Sequence, residues 1–306
     1  MSKRQFFLSF AAALLLPCVA ASGYAQSKSP LSAGAARNVI RRAEGIELPS
    51  AAVRVKSLSS PDKLTVDVLA QIGTAFRFVK EKKTGWRIAE IRTGDNRWEE
   101  IGLILRALNV EEMESACSET SPDVNGAEES DPGVRQARCL IAELAGIELP
   151  SDAVRVKSVS ALSLGDIPSA VVEAVVEAEF RLSKGSDKKW RVARIKTGSG
   201  GWADVELLVN GINEQKRTRA REELETVAAA LEAFRRERGF YVEAQTERAL
   251  VDHLNPRYLR RVIRIDPWLK PYQYEGTRNS YTLRSNGADG QPNTSDDIVK
   301  TMNAER

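Results

Sequence analysis

The sequence predicts an α+β fold: two tandem small α+β modules followed by a helix packed on an antiparallel sheet. A segment of about 75 residues recurs later in the chain, which indicates two related modules. Each copy alternates apolar and polar residues over a long run, as a half-buried antiparallel strand does. Beyond the second copy, a long amphipathic helical pattern precedes short strands bounded by turn residues, which is typical of helix-on-sheet packing.

The composition is that of a soluble globular protein. Of the 306 residues, 42% are hydrophobic and 28% are charged, which is enough apolar material for a core. A net charge of +3 and an aromatic content of 6% give no sign of a nucleic-acid-binding surface. Nucleic acid is therefore not an expected partner.

The first residues have the pattern of a secretory signal. Lys3 and Arg4 precede an apolar stretch over residues 6–16, and small residues follow it. We expect residues 1–25 to be a signal peptide that is cut after Ala25. The mature chain would then have no transmembrane segment and would be periplasmic or secreted.

The cysteines leave one question open. Cys18 could carry a lipid anchor, but Pro17 stands where a lipobox has Gly or Ala, so we do not expect a lipoprotein. Cys117 and Cys139 remain in the mature chain, and an oxidising compartment favours their pairing. Two free thiols are the alternative. The sequence has no Cys-x-x-Cys motif or Cys/His cluster that would indicate zinc or redox catalysis.

The internal repeat organises the first two thirds of the chain. GIELPSAAVRVKS at 45–57 returns as GIELPSDAVRVKS at 146–158, an offset of 101, and Trp86 returns as Trp190, an offset of 104. The predicted domains are module 1 at 31–110, an acidic flexible linker at 111–133, module 2 at 134–212 and a C-terminal domain at 213–306. The linker carries eight carboxylates and neither Lys nor Arg, which is typical of a solvated segment, although an acidic docking strip is an alternative.

Each copy is predicted to contain a helix, about three antiparallel strands and a second helix. The first helix ends near Gly45 or Gly146, and the sequence AVRVKS then forms a strand. A long alternating strand follows, over 66–78 in one copy and 170–182 in the other. A return strand begins at the first tryptophan of each copy.

Four tryptophans occupy matching positions in the two copies. Trp98 and Trp202 are predicted to open the final helix of each copy, and Trp86 and Trp190 to begin the return strand. These side chains either cover the open side of a thin sheet, which we favour, or form a surface that binds a cell-envelope ligand. Neither copy contains a recognisable nucleophile and base, so the sequence does not indicate an enzyme.

The C-terminal third begins with an amphipathic helix that runs from Asn213 and stops at Gly239. The helix that follows Trp202 can continue into it, with Gly211 as a candidate kink. A short helix is predicted at TERALVDHL, and strands are predicted around PYQYEG and SYTLRS.

Residues 216–300 resemble the globular part of the type II secretion major pseudopilin, the G-type. The matching features, in order, are ALEAFRRERGFYV, ALVDHL, YLRRVIRIDPW, PYQYEG and SNGADGQPNTSDDI. The family's DPW-Gly-Asn-PY motif has Leu269 and Lys270 at its centre here. The N-terminus departs further, because the fifth residue from Phe6 is Phe10 instead of the family's Glu. Membership of a pseudopilus is therefore left open.

The resemblance implies one Ca²⁺ in the loop GADGQPNTSDD, and the residues suit this ion. Ca²⁺ takes about six to eight oxygen ligands from carboxylates, carbonyls and water. Gly287 and Gly290 allow the tight turns that direct carbonyls inward. A solvated Asp-rich turn is the alternative. The candidate ligands are Asp289, Asp296 and Asp297, with Thr294 or Ser295 as a hydroxyl ligand.

A basic patch is the candidate for partner binding. It is formed by Arg257, Arg260, Arg261 and Arg264. We expect an exported, non-catalytic interaction or structural protein whose calcium-stabilised C-terminal domain is associated with protein secretion or pilus machinery. The alternative is a ligand-binding protein of the cell envelope that acts through the tryptophan-bearing modules.

Overall fold

The computed structural model describes residues 29–43, 45–82, 84–107, 117, 131–144, 151–164, 167–197 and 201–303. The predicted signal peptide, Cys18 and most of the predicted linker lie outside these ranges. Within them the chain is a mixed α+β protein with two antiparallel sheets and five α-helices.

The helices are α1 (Ala33–Arg41), α2 (Ile101–Ala107), α3 (Gly133–Ala142), α4 (Val205–Arg238) and α5 (Glu247–Leu254). The strands of the large sheet are β1 (Val53–Ser59), β2 (Thr65–Glu81), β3 (Gly85–Gly94), β4 (Arg97–Glu100), β5 (Val154–Leu164), β6 (Ile167–Lys184), β7 (Trp190–Thr197) and β8 (Gly201–Asp204). The small sheet contains β9 (Gln273–Gly276), β10 (Ser280–Ser285) and β11 (Ile298–Asn303).

The two long strands β2 and β6 form the centre of the large sheet. They pair antiparallel from Thr65 opposite Ser183 to Val79 opposite Ser169. On its other edge β2 pairs with β1 and then with β3, and β6 pairs in the same way with β5 and β7. Strands from both sequence copies therefore share one sheet, where we had predicted separate modules.

The register of the central pair matches the repeat. Ile72 lies opposite Val176, and these residues are 104 positions apart, which is the offset of the second part of the repeat. Strand β2 therefore pairs with its own equivalent in the second copy, β6. The pair is related by an approximate two-fold arrangement centred between Ile72 and Val176.

Two apolar cores lie on the same face of the large sheet. The core under α1 contains Ala36, Ile40, Val53, Val66, Val68, Phe180 and Leu182. The core under α3 contains Phe76, Phe78, Ala137, Ile141, Val154, Ala170 and Val172. Each core therefore combines residues of both copies, and neither helix is buried by its own copy alone.

All four repeated tryptophans lie on strands of the large sheet or in its cores. Trp86 is only 1% exposed in the core under α3, and Trp190 packs against the core under α1. Trp98 and Trp202 lie on the short strands β4 and β8, so our prediction that they open helices was wrong. The guanidinium groups of Arg77 and Arg181 stack over these two rings at 4.5 and 4.4 Å, so one face of each ring is covered.

Helix α4 connects the large sheet to the C-terminal domain. Asp204 caps its start by accepting from the N–H groups of Glu206 and Leu207, and Gly239 ends it in the left-handed conformation at φ +82°. The predicted continuity of this helix is confirmed. Gly211 lies inside it, where a Cβ atom would approach that of Ala107 in α2 to 3.0 Å, so the glycine permits close helix packing. None of the described helices is long and apolar enough to cross a membrane.

Charged residues join α4 to the end of the first copy. Lys216 and Glu99 form an ion pair at 2.7 Å with both side chains mostly buried. Arg219 bonds to Glu100 as well as to Glu223 of its own helix. These contacts fix the direction in which α4 leaves the sheet.

The C-terminal domain packs its helices on the small sheet, whose strand order is β11-β10-β9. Its core takes alternate residues of β10 and one face of α4. The core includes Leu224, Leu231, Phe234, Leu250, Tyr274, Tyr281 and Leu283. Helix-on-sheet packing is therefore confirmed for this part of the chain.

A disulfide joins Cys117 to Cys139 on α3, with the two Cα atoms 5.8 Å apart. Cys117 is buried in the core under α3. The pairing decides between the alternatives that the sequence left open.

Replacing both cysteines with serine is expected to lower the free energy of unfolding by about 3 kcal/mol, because a closed loop of this size restricts the unfolded chain. Urea unfolding of the oxidised protein and of the Cys117→Ser/Cys139→Ser variant measures the difference. Wild-type protein in excess reductant is the control and should approach the variant. Equal midpoints for all three samples would contradict a stabilising disulfide.

Candidate functional site

The loop between β10 and β11 contains the three aspartates that the sequence singled out. Gly287 and Gly290 have φ angles of +62° and +66°, in the left-handed region that favours glycine. A Cβ atom on Gly287 would lie 2.4 Å from the backbone oxygen of Asp296. Only a glycine therefore allows the two ends of the loop to approach this closely.

The carboxylates of the loop surround one hydroxyl group. The Thr294 Oγ1 atom lies 2.7 Å from Asp296 Oδ1 and 3.4 Å from the Oδ1 atoms of both Asp289 and Asp297. The structure thus brings all three predicted aspartates together. Thr294, which the sequence offered only as an alternative to Ser295, lies between them.

Backbone N–H groups and one arginine balance part of the negative charge. Asp296 Oδ2 accepts from the N–H of Asp289 at 3.1 Å, and Asp297 Oδ2 accepts from the N–H of Asn293 at 2.8 Å. Arg284 places its Nη1 atom 3.7 Å from Asp297 Oδ2. Of the three aspartates, Asp289 and Asp296 form no ion pair with the residues that the structure describes.

The donor set is that of a site for a hard cation, with carboxylates, a hydroxyl and tightly turned backbone. In this structure an oxygen of each aspartate lies within 3.4 Å of the Thr294 hydroxyl, but the three carboxylates do not place their oxygens within 4.8 Å of one another. Among the described residues, one group of three acidic, cysteine or histidine side chains has its ligand atoms within 4.8 Å of one another. It consists of Cys117, Cys139 and Glu143. The two sulfur atoms of that trio form the disulfide, so it is not a metal site.

A buried carboxylate attaches the loop to the preceding turn. Asp266 is 3% exposed and accepts hydrogen bonds from the Ser285 hydroxyl and from the N–H groups of Trp268 and Lys270. The Ser285 hydroxyl in turn accepts from the N–H of Gly287. We had used DPW only as part of the resemblance to the pseudopilin. Aspartate side chains often accept from the backbone N–H two residues later, as Asp266 does from Trp268. The aspartate of DPW is therefore the sequence signal for this role.

The hydrogen bond from Thr294 holds the pKa of Asp296 below its ordinary value, and backbone N–H groups lower it further. Burial acts in the opposite direction but does not cancel these effects. The loop therefore favours the ionised form of this carboxyl group.

The four arginines of the predicted partner patch differ in their surroundings. Arg257 pairs with Glu237 at 2.8 Å, Arg264 with Glu247 at 3.0 Å, and Arg261 with Glu223 at 3.6 Å. Arg260 is exposed and forms no ion pair with the residues that the structure describes. Arg260 and Arg261 line a cleft of about 1020 Å³ beside α4. The patch is thus a set of mostly paired arginines, and its role in binding stays a prediction.

Comparison with known families supports the resemblance in the C-terminal third. Residues 208–303 match the family model described as type II secretion system (T2SS), protein G. The match runs from the first turns of α4 to the last residue of β11 and covers the aspartate loop. Neither the curated proteins nor the solved structures contain a match to the chain.

Thr294→Val is expected to raise the pKa of Asp296 toward its ordinary value, because the hydrogen bond that lowers it most is removed. A lowered folded-state pKa stabilises the protein above the unfolded pKa, and this stabilisation is lost as pH falls through the folded pKa. The variant should therefore be less stable than wild type at neutral pH and should differ less from it in acid. An NMR titration of the side-chain carboxyl carbon measures the pKa.

Thr301→Val on the exposed face of β11 is the control for this substitution and should leave the titration of Asp296 unchanged. An Asp296 pKa that is equal in wild type and in Thr294→Val would show that the hydroxyl does not stabilise the carboxylate.

Proposed function

We propose that this chain is an exported, non-catalytic interaction protein associated with the type II secretion machinery. The match of residues 208–303 to T2SS protein G is the observation that carries the proposal. All but the first three residues of the long helix, the three-stranded sheet and the aspartate loop lie inside the matched region. We infer that this region makes the contact with secretion components.

We propose that the two sequence copies act as one body attached to this domain. The shared sheet and the mixed cores support this, since strands of both copies bury each helix. Helix α4 starts directly after β8 and continues into the C-terminal core. Whatever the C-terminal domain binds, the large sheet would be held beside it in a fixed orientation.

The surface from Arg257 to Leu269 is our candidate contact region. Val262, Ile265 and Leu269 are each about half exposed, and the first two adjoin arginines of the patch in sequence. Exposed apolar side chains next to arginine are typical of protein interfaces. We propose that a secretion component binds here, with Arg260 available for a new ion pair.

We also propose that the aspartate loop binds one Ca²⁺. Asp289, Asp296 and Asp297 would hold the ion, with Thr294 contributing its hydroxyl oxygen. The position of all three carboxylates within 3.4 Å of the Thr294 hydroxyl, and the glycine that lets the ends of the loop approach, support this proposal. The ion would neutralise like charges that otherwise repel each other across the loop.

Millimolar Ca²⁺ is expected to raise the melting temperature of the mature protein, because a ligand that binds only the folded state stabilises it. At a concentration about 100 times the Kd, the gain is about 2.7 kcal/mol. Asp289→Asn should abolish most of the shift. Asp252→Asn on the exposed face of α5 is the matched control and should keep it. An unchanged melt in wild type, or equal shifts in both variants, would exclude calcium binding by the loop.

Immobilised mature protein is expected to capture type II secretion components from an envelope extract, identified by mass spectrometry. Arg260→Glu combined with Val262→Asp should reduce the recovery at least tenfold, since it reverses a charge and places a carboxylate in an apolar surface. Arg37→Glu with Val134→Asp makes the same changes on other exposed positions and should retain full recovery. Recovery of no secretion component by wild type would refute the proposed association, and equal recovery by both variants would refute the assigned surface.

A further inference from the structure

A basic hollow lies at the centre of the large sheet, on the face opposite the two cores. Its volume is about 360 Å³. Gln71, Gly73 and Val175 form its floor, since they alternate along β2 and β6 with residues that face the cores. The charged side chains around it are Arg54, Arg92, Arg155, Lys157 and Glu173.

The two copies differ at positions that supply carboxylates to this face, since Gly73 and Ala75 repeat as Glu177 and Glu179. Lys56, in a bulge of β1, forms an ion pair with Glu177 of β6 at 2.8 Å. The repeat places Lys157 at the position of Lys56, in the corresponding bulge of β5, and Gly73 at the position of Glu177. Lys157 therefore meets a glycine where Lys56 meets a carboxylate.

The missing carboxylate leaves positive charge without a partner. In the part of the chain that the structure describes, neither Arg54, Arg92, Arg155 nor Lys157 forms an ion pair, and Glu173 is the one carboxylate lining the hollow. Elsewhere on the same face, Arg77 pairs with Glu90 and Arg181 with Asp67. Four cations that form no ion pair with the described residues therefore line the hollow, and both copies contribute to it.

We propose that this hollow binds a small, free oxyanion with several negative charges, of the phosphate class. Planar guanidinium groups form paired hydrogen bonds with phosphate oxygens, and two arginines approach from opposite edges, Arg54 on β1 and Arg155 on β5. The volume is within the range of small-ligand sites. One oxygen of the ligand would lie beside Lys157, in the position equivalent to that of the Glu177 carboxylate beside Lys56. This inference does not depend on the secretion-related function.

Isothermal titration of the full mature protein with pyrophosphate at low ionic strength tests the proposal. Saturable binding of one pyrophosphate per chain is expected. Arg155→Gln should weaken it about tenfold, as expected for the loss of a charged hydrogen bond. Gly73→Glu should abolish it, because the new carboxylate supplies the missing partner of Lys157. The position can accept a side chain, since the nearest atom to an added Cβ is the Ala52 oxygen at 3.6 Å.

Two controls separate this site from general attraction of anions. Arg37→Gln removes an exposed cation outside the hollow and should bind pyrophosphate as wild type does. Circular dichroism and a melting curve should show that Gly73→Glu is folded, and a gain in melting temperature would agree with a new ion pair. The proposal fails if wild type shows no saturable binding. It also fails if folded Gly73→Glu binds as wild type does, or if Arg37→Gln loses as much affinity as Arg155→Gln.

Discussion

The pairing of β2 with β6 is the interaction on which the rest of the structure depends. It joins the two sequence copies along nearly the full length of both strands. Helices α1 and α3 bury their apolar faces against this pair, since each core includes side chains from both strands. The duplicated region is therefore a single cooperative body, and loss of one copy would expose the apolar residues of the other.

The second constraint is the path of α4. Its first turns pack against α2 at Gly211, its middle carries the mostly buried Lys216 opposite Glu99, and its last turns enter the C-terminal core. An ion pair with so little solvent contact contributes modestly to stability, because desolvation offsets much of the attraction. Its larger effect is on geometry, since Lys216 and Glu99 would separate if the helix left β8 in another direction.

Local sequence patterns predicted much of the fold. Gly239 ended α4, the alternation in β2 and β6 identified both long strands, and the grouping of Asp289 with Asp296 in a turn-rich segment located the candidate site. The shared sheet could not be predicted, because periodicity defines which face of a strand is buried but not which strand it pairs with. Trp98 was placed in a helix because a four-residue strand is too short to show an alternation. The cysteine pairing likewise depends on tertiary approach, which spacing does not reveal.

The disulfide spans part of the acidic segment between the copies, so a break in that part of the backbone does not separate the chain. Cys117 lies within that segment and is bonded to α3, beyond its end. A protease that cleaved any peptide bond between these two cysteines would produce two fragments that remain linked to each other. A chain nicked there would still migrate as one molecule until a reductant separated its halves.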